Sequence, residues 1–103
     1  MLTVIETPTF LRTASTLWDA ETIADFVAFI SESPMCGDVV VGTKSLRKVR
    51  WGRPGMGKRG GARVIYCVRT TAGEVVLLVA YAKGNADKLP TEFLNRLKES
   101  YDA

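Results

Sequence analysis

Five residues in the second half of this chain have the types and spacing to handle a phosphate group. Lys48 and Arg50 stand two apart in the segment Leu46 to Trp51. Its alternation turns Leu46, Lys48 and Arg50 one way and Arg47, Val49 and Trp51 the other. Arg63 opens the next β-rich run, and Tyr81 and Lys83 lie two apart at the end of the last. If the strand beginning at Arg63 pairs with both others, these side chains converge on one sheet surface. Alternating charges also mark the solvated face of an ordinary half-exposed sheet, so the pattern alone does not decide. The absence of neutralising acids does more. Between Val39 and Gly73 there is no Asp or Glu, while nine of the fourteen Lys+Arg fall there. The formal charge of +3 thus splits into +9 in that third and −6 in the rest. Such a separation carries self-repulsion into the folded state, and a polyanionic partner is its simplest reason. Unpaired cations on one face make a phosphate site rather than a salt-bridge lattice.

Two glycine motifs in the same region carry less. Gly55, Gly57 and Gly60 spell GxGxxG, but a dinucleotide site needs a helix to begin there, and a β-branched run follows instead. Gly52, Gly57 and Lys58 nearly spell a phosphate-binding loop, yet Arg59 stands where a magnesium-holding Ser or Thr belongs. A basic, glycine-rich connection between two strands explains both, and its backbone N–H groups can still approach a phosphate closely. His is absent, which excludes imidazole catalysis and His-ligated zinc. Cys36 and Cys67 form no CxxC, so buried, reduced thiols are expected rather than a disulfide. The opening MLTVIETPTF has neither a basic nor an apolar leader region, and no run approaches ~18 apolar residues. A cytoplasmic protein without a membrane span is expected.

The elements that position these residues follow from capping and periodicity. Leu2 to Glu6 suits a first strand. Thr7-Pro8 starts a helix, a hydroxyl cap followed by proline in the first turn, running to about Leu17 or Trp18. Asp19 caps a second helix whose Ile23, Phe26, Val27 and Ile30 form one apolar stripe, ended by Pro34 and Gly37. Strands follow at Leu46 to Trp51, Arg63 to Arg69 and Val75 to Tyr81, the last apolar enough to sit centrally. Gly52 to Gly61 and Thr70 to Gly73 connect them. After Gly84-Asn85, Pro90 to Tyr101 is helical, with Phe93, Leu94 and Leu97 apolar. The expectation is one small α+β domain over residues 1–103, strand-helix-helix-three antiparallel strands-helix, with the helices on one sheet face.

With these residues in hand, LRKVRWGRPGMGKRGGARVIYC (Leu46 to Cys67) and VVLLVAYAKGNADKLP (Val75 to Pro90) resemble RelE/HigB-type toxins of bacterial type II toxin–antitoxin systems. The likeness is nearest to the HigB-like subgroup with a GKRGG segment before the third strand. It spans roughly residues 38 to 90, and the first two helices agree in order and length. The resemblance implies a RelE-like fold of the microbial-ribonuclease type. It also implies a metal-independent mRNA interferase without cofactor, which enters the ribosomal A site and cuts messenger RNA there. A cognate antitoxin, expected to be a helix-turn-helix protein encoded nearby, would hold it inactive, and that complex could bind operator DNA.

Carried over by position, the family's basic pair on the second strand falls on Lys48 and Arg50, and its arginine at the start of the third strand on Arg63. The basic residue after the last strand falls on Lys83. The further arginine some relatives carry one position on is Gly84 here. A tyrosine near the C-terminus in several relatives corresponds to Tyr101 or to Tyr81. The implied reaction is attack of the RNA 2′-hydroxyl on the adjacent phosphorus, with departure of the 5′-oxygen. Arg63, always charged and forked, suits two non-bridging oxygens. Lys48 or Lys83 would move protons, since crowded like charges disfavour protonation of a lysine among them. Tyr81 would hydrogen-bond or stack. Lys44, Arg47, Arg53, Lys58, Arg59 and Arg69 are assigned to docking on RNA backbone. Trp51 could stack on a base, or pack under the helices. The rival readings are a non-catalytic basic nucleic-acid-binding module, for which no RNP, zinc-knuckle or helix-turn-helix pattern speaks, and an inactive toxin-like partner-binding protein.

Overall fold

A computed structural model describes residues 2–43, 45–52, 61–82 and 89–102 of the chain. Its elements are β1 (Thr3–Glu6), α1 (Pro8–Ala14), α2 (Ala20–Glu32), β2 (Asp38–Val39), β3 (Leu46–Trp51), β4 (Ala62–Arg69), β5 (Glu74–Ala82) and α3 (Thr91–Ser100). The strands form one mixed sheet in the order β1-β5-β4-β3-β2, with β1 parallel to β5 and the other neighbours antiparallel. The expected α+β order is therefore the observed one, with the two-residue edge strand β2 added. No helix among the described residues is long and apolar enough to cross a membrane.

Helix boundaries follow the caps. Thr7 Oγ1 accepts the Phe10 N–H at 3.1 Å and donates to the Leu77 carbonyl at 2.6 Å, so one hydroxyl both starts α1 and ties it to β5. Helix α1 ends at Ala14, earlier than expected. The Ser15 and Thr16 hydroxyls bond back to the carbonyls of Arg12 and Thr13, and the Leu17 and Trp18 N–H groups both turn onto Ala14. These local bonds compete with helix propagation. Asp19 accepts the Thr22 N–H at 2.9 Å and opens α2 as expected.

One expectation about layering is corrected. The helices do not share a face of the sheet. Phe10, Ala14, Trp18, Phe26 and Ile30 of the α1–α2 half pack on Val64, Tyr66, Val75 and Leu77. Leu94 of α3 instead packs with Leu46, Ile65, Cys67, Val76 and Leu78 on the opposite face. Strands β4 and β5 are buried from both sides, which is why they read as nearly continuous apolar runs. Trp51 packs rather than projects. It stacks on Phe29 with centroids 4.8 Å apart and meets Phe26 edge-on at 5.6 Å. The cysteines are free, but only Cys67 is buried, and burial raises its thiol pKa; Cys36 is exposed, contrary to expectation.

A buried tyrosine joins the α2–β3 connection to the sheet. Tyr66 Oη donates to the Pro34 carbonyl at 2.7 Å and accepts the Gly37 N–H at 3.0 Å. A Cβ on Gly37 would lie 2.8 Å from both the Lys48 carbonyl oxygen and Tyr66 Oη, so only glycine fits. Tyr66→Phe orphans both main-chain groups and should destabilise by ~1–3 kcal/mol, read as a lower urea midpoint. Gly37→Ala should destabilise as well, because neither contacting group is a flexible chain end. Burial pushes the Tyr66 phenol up to about 12, above its ordinary value of 10.0. Its contribution to stability is therefore complete below pH ~10 and is lost as pH rises toward 12. Denaturation midpoints measured across that window should fall more steeply for the wild type than for Tyr66→Phe.

Candidate functional site

Strand register decides which cations meet. Arg50 is paired with Arg63 across β3 and β4, and Arg63 with Tyr81 across β4 and β5. Directly opposed residues share a sheet face with Cβ atoms about 4.5–5.5 Å apart, so Arg50, Arg63 and Tyr81 form one transverse row. Lys48 lies two residues from Arg50 on the same face, opposite Ile65. Leu94 of α3 packs on this face with Leu46, Ile65, Cys67, Val76 and Leu78, and Tyr81 borders the same cluster. Lys48 and Arg50 are exposed, Arg63 and Tyr81 half-buried.

Tyr81 joins the row because of a bulge. Ile65 pairs with Val79 but Tyr66 pairs with Leu77, so Leu78 is an extra residue in β5. Leu78 and Val79 consequently both pack in the α3-side core, and the inward–outward parity of β5 switches between them. With regular alternation through Leu78 and no bulge, Tyr81 would share the face of Leu77 and point toward α1 and α2. A hydrophobic irregularity in mid-strand thus aims a polar residue four positions from Leu77.

The electrostatics of the row are one-sided. Among the described residues, ion pairs involve Arg69, Arg96 and Lys98, and none reaches Lys48, Arg50 or Arg63. Arg63 Nη1 is buried without a hydrogen-bond partner among the described residues. Like charges directly opposite in a sheet repel, and an orphaned guanidinium N–H forgoes a strong charge-assisted bond. Both penalties disappear if an anion with several acceptor oxygens sits between Arg50 and Arg63.

The remaining residues singled out in the sequence distribute differently. Arg47 lies on the other face and donates to the carbonyls of Gly37 at 2.6 Å and Met35 at 3.4 Å, bracing the loop that Tyr66 holds. Arg69 pairs with Glu74 and with Asp102 and donates to the Tyr101 carbonyl at 3.0 Å, fastening the end of α3 to β4. Lys98 also bonds Asp102, and chiefly through that bond holds its carboxyl below the usual range. The Tyr101 hydroxyl is taken up by Thr9, 2.7 Å from Oγ1 and 3.2 Å from the N–H, so of the two candidate tyrosines Tyr81 is the one beside Arg63. Lys44, Arg53, Lys58, Arg59 and Lys83 lie outside the described residues, as do Gly55, Gly57 and Gly60 of the glycine motif. One basic residue that sequence reasoning passed over is Arg12 of α1, which lines a cavity with Tyr81. Nothing in the spacing links positions 12 and 81; only the crossing of α1 over β5 does.

No family model matches the sequence. Among solved structures, the chain is similar to a variant of E. coli toxin RelE in the free state, carrying two arginine-to-alanine substitutions. The TM-score is 0.65 at 17% identity, over 92% of this chain and 96% of that one. The fold is that of RelE. A second structure, the isolated E. coli RelE toxin, gives a TM-score of 0.59 at 13% identity over 97% of this chain and 99% of that one. The RelE fold thus accounts for nearly the whole chain.

An anion-binding row makes a thermal prediction. Anything that binds only the folded state stabilises by RT ln(1 + [L]/Kd), about 1.4 kcal/mol at tenfold excess over Kd. Phosphate should therefore raise the unfolding midpoint of the wild type above that in chloride of equal ionic strength. The increment should shrink in Arg63→Ala. Equal increments in both proteins would place the anion elsewhere.

Proposed function

We propose that this chain is the toxin of a type II toxin–antitoxin pair, of the HigB-like subgroup, and inhibits translation in the cytoplasm by cutting messenger RNA in the ribosomal A site. The observation that carries this reading is the row Arg50–Arg63–Tyr81, with Lys48 beside it and no ion pair to its cations among the described residues, on a RelE fold. The sequence likeness over residues 38 to 90 supports it independently.

The chemistry asks for three things. The 2′-hydroxyl must lose a proton, the phosphorane-like transition state must have its extra negative charge held, and the 5′-oxygen must gain a proton as it leaves. Arg63 holds the non-bridging oxygens through its forked guanidinium, whose Nη1 has no hydrogen-bond partner among the described residues. Arg50, directly opposite, adds a second charge to the same phosphate. This charge grows on the oxygens as attack proceeds, so donors already in place favour the transition state over the ground state. Lys48 or Lys83 transfers the protons, and Tyr81 hydrogen-bonds the phosphate or stacks on a neighbouring base. No step calls on a metal or cofactor. Lys44, Arg53, Lys58 and Arg59 steer the chain onto ribosomal and messenger RNA backbone. Arg47 and Arg69, braced within the fold, contribute to its field rather than to direct contacts. A cognate antitoxin encoded nearby holds the toxin inactive, and operator DNA is met through that complex.

Loss of one transition-state charge donor typically lowers a rate by ~10²–10³. Arg63→Ala should therefore relieve growth arrest on induction in a bacterial host, while the circular dichroism and antitoxin binding of the purified variant stay as in wild type. Mapped transcript ends should show cuts at defined codon positions that vanish when ribosomes are withheld. Full toxicity of Arg63→Ala would refute the assignment. Bulk RNA binding with no cleavage by the wild type would favour the non-catalytic module instead.

A further inference from the structure

The row ends at Tyr81, and a cavity of about 310 Å3 opens beside that residue. One wall is Arg12, Thr13, Thr16 and Leu17 of α1 and the turn after it; the other is Ala80 to Ala82 of β5. It exists because β1 is too short to cover β5. The last β1 pair is Glu6 with Leu77, so β5 beyond Leu77 has no strand neighbour on that side among the described residues. Thr13 Oγ1 accepts the Ala80 N–H at 3.0 Å and satisfies one edge donor. Alternate residues of a strand turn both main-chain groups to the same side. The Ala80 carbonyl and the N–H and C=O of Ala82 therefore face the same open edge.

Each lining group suits one kind of ligand. A peptide edge that offers a donor between acceptors is complementary to a nucleobase edge, which presents the same two kinds of group in sequence. Leu17 supplies apolar surface for a base face. The Thr16 hydroxyl spends its proton on the Thr13 carbonyl at 2.8 Å, so its oxygen turns only acceptor capacity toward the cavity. Arg12 is exposed and makes no ion pair among the described residues, a charge in place for a flanking phosphate. The volume stands at the small end of ligand sites, which run from about 300 to 1,000 Å3. It admits one base and excludes a helix or a duplex. A bare anion would gain nothing from Leu17 or the strand edge.

We propose that this cavity is a nucleobase subsite that takes the base next to the scissile phosphate, with Arg12 on the flanking phosphate, and so gives cleavage its base preference. The proposal rests on the ribonuclease reading above and extends it to a residue, Arg12, and a strand edge outside the cationic row. Continuity through Tyr81, which belongs to both row and cavity, puts base and phosphate on adjacent parts of one RNA strand.

The test is amide NMR on the full chain, titrated separately with the four 5′-ribonucleoside monophosphates and with inorganic phosphate. Nucleotides should shift the amides of Thr13, Thr16, Ala80 and Ala82, with one or two bases doing so most strongly, whereas inorganic phosphate should shift only Lys48, Arg50 and Arg63. Thr16→Trp fills the cavity from an exposed position and should abolish the cavity shifts while those of the row persist. Arg12→Glu, also exposed, should weaken nucleotide binding about tenfold, the scale of one charge-assisted hydrogen bond. Nucleotides that move only the row, as phosphate does, would overturn the subsite and leave the ribonuclease reading standing. No shift at the row with any probe would overturn both.

Discussion

The structure turns on two arginines held opposite each other. Arg50 and Arg63 face across β3 and β4, and nothing among the described residues neutralises either. Two unit charges ~6 Å apart repel by roughly 1–3 kcal/mol, depending on how far water screens them. That repulsion is small beside what holds the strands. Val75, Val76, Leu77, Leu78 and Val79 of β5 are all buried, and each such side chain contributes about 1.5–3 kcal/mol. The two apolar layers, one under α1 and α2 and one under α3, clamp β4 and β5, so packing beneath the row holds its residues in register. A site built this way does not need its ligand in order to form, and binding spends little on rearrangement.

Charge is divided between the faces to the same end. Glu21, Asp25 and Glu32 are exposed on α2, on the far side of the sheet from Lys48 and Arg50. The exposed acids of α2 therefore repel a polyanion from that side, while Lys48 and Arg50 attract it to theirs. Two cations within the acid-free window are exceptions that support the frame. Arg47 braces the Met35–Gly37 backbone, and Arg69 recruits Glu74 and Asp102 from outside the window. A count of charges by sequence position cannot separate such braces from free cations, because their partners come from distant parts of the chain.

Much of the framework was legible in the sequence for local reasons. Thr7-Pro8 and Asp19 are short-range caps, and both helices start where these residues place them. The alternation of Leu46 to Trp51 correctly put Lys48 and Arg50 together. Other features depended on long-range facts. The stripe of Leu94 and Leu97 says that α3 buries one side, but not which face of the sheet receives it. The Leu78 bulge has no signature, since every residue from Val75 to Ala80 is apolar whichever way it points; yet the orientation of Tyr81 depends on it. Strand β2 has only two residues and owes its existence to pairing with Arg47 and Lys48. The cavity beside Arg12 arises from where β1 stops.

The most direct test of this account is a crystal structure of the chain with a short RNA whose 2′-hydroxyl at the cut site is replaced by hydrogen. One phosphate should lie between Arg50 and Arg63, with the Arg63 guanidinium donating to a non-bridging oxygen and Lys48 and Tyr81 at its sides. An RNA seated on α2, or one that leaves Arg63 without a phosphate contact, would contradict it.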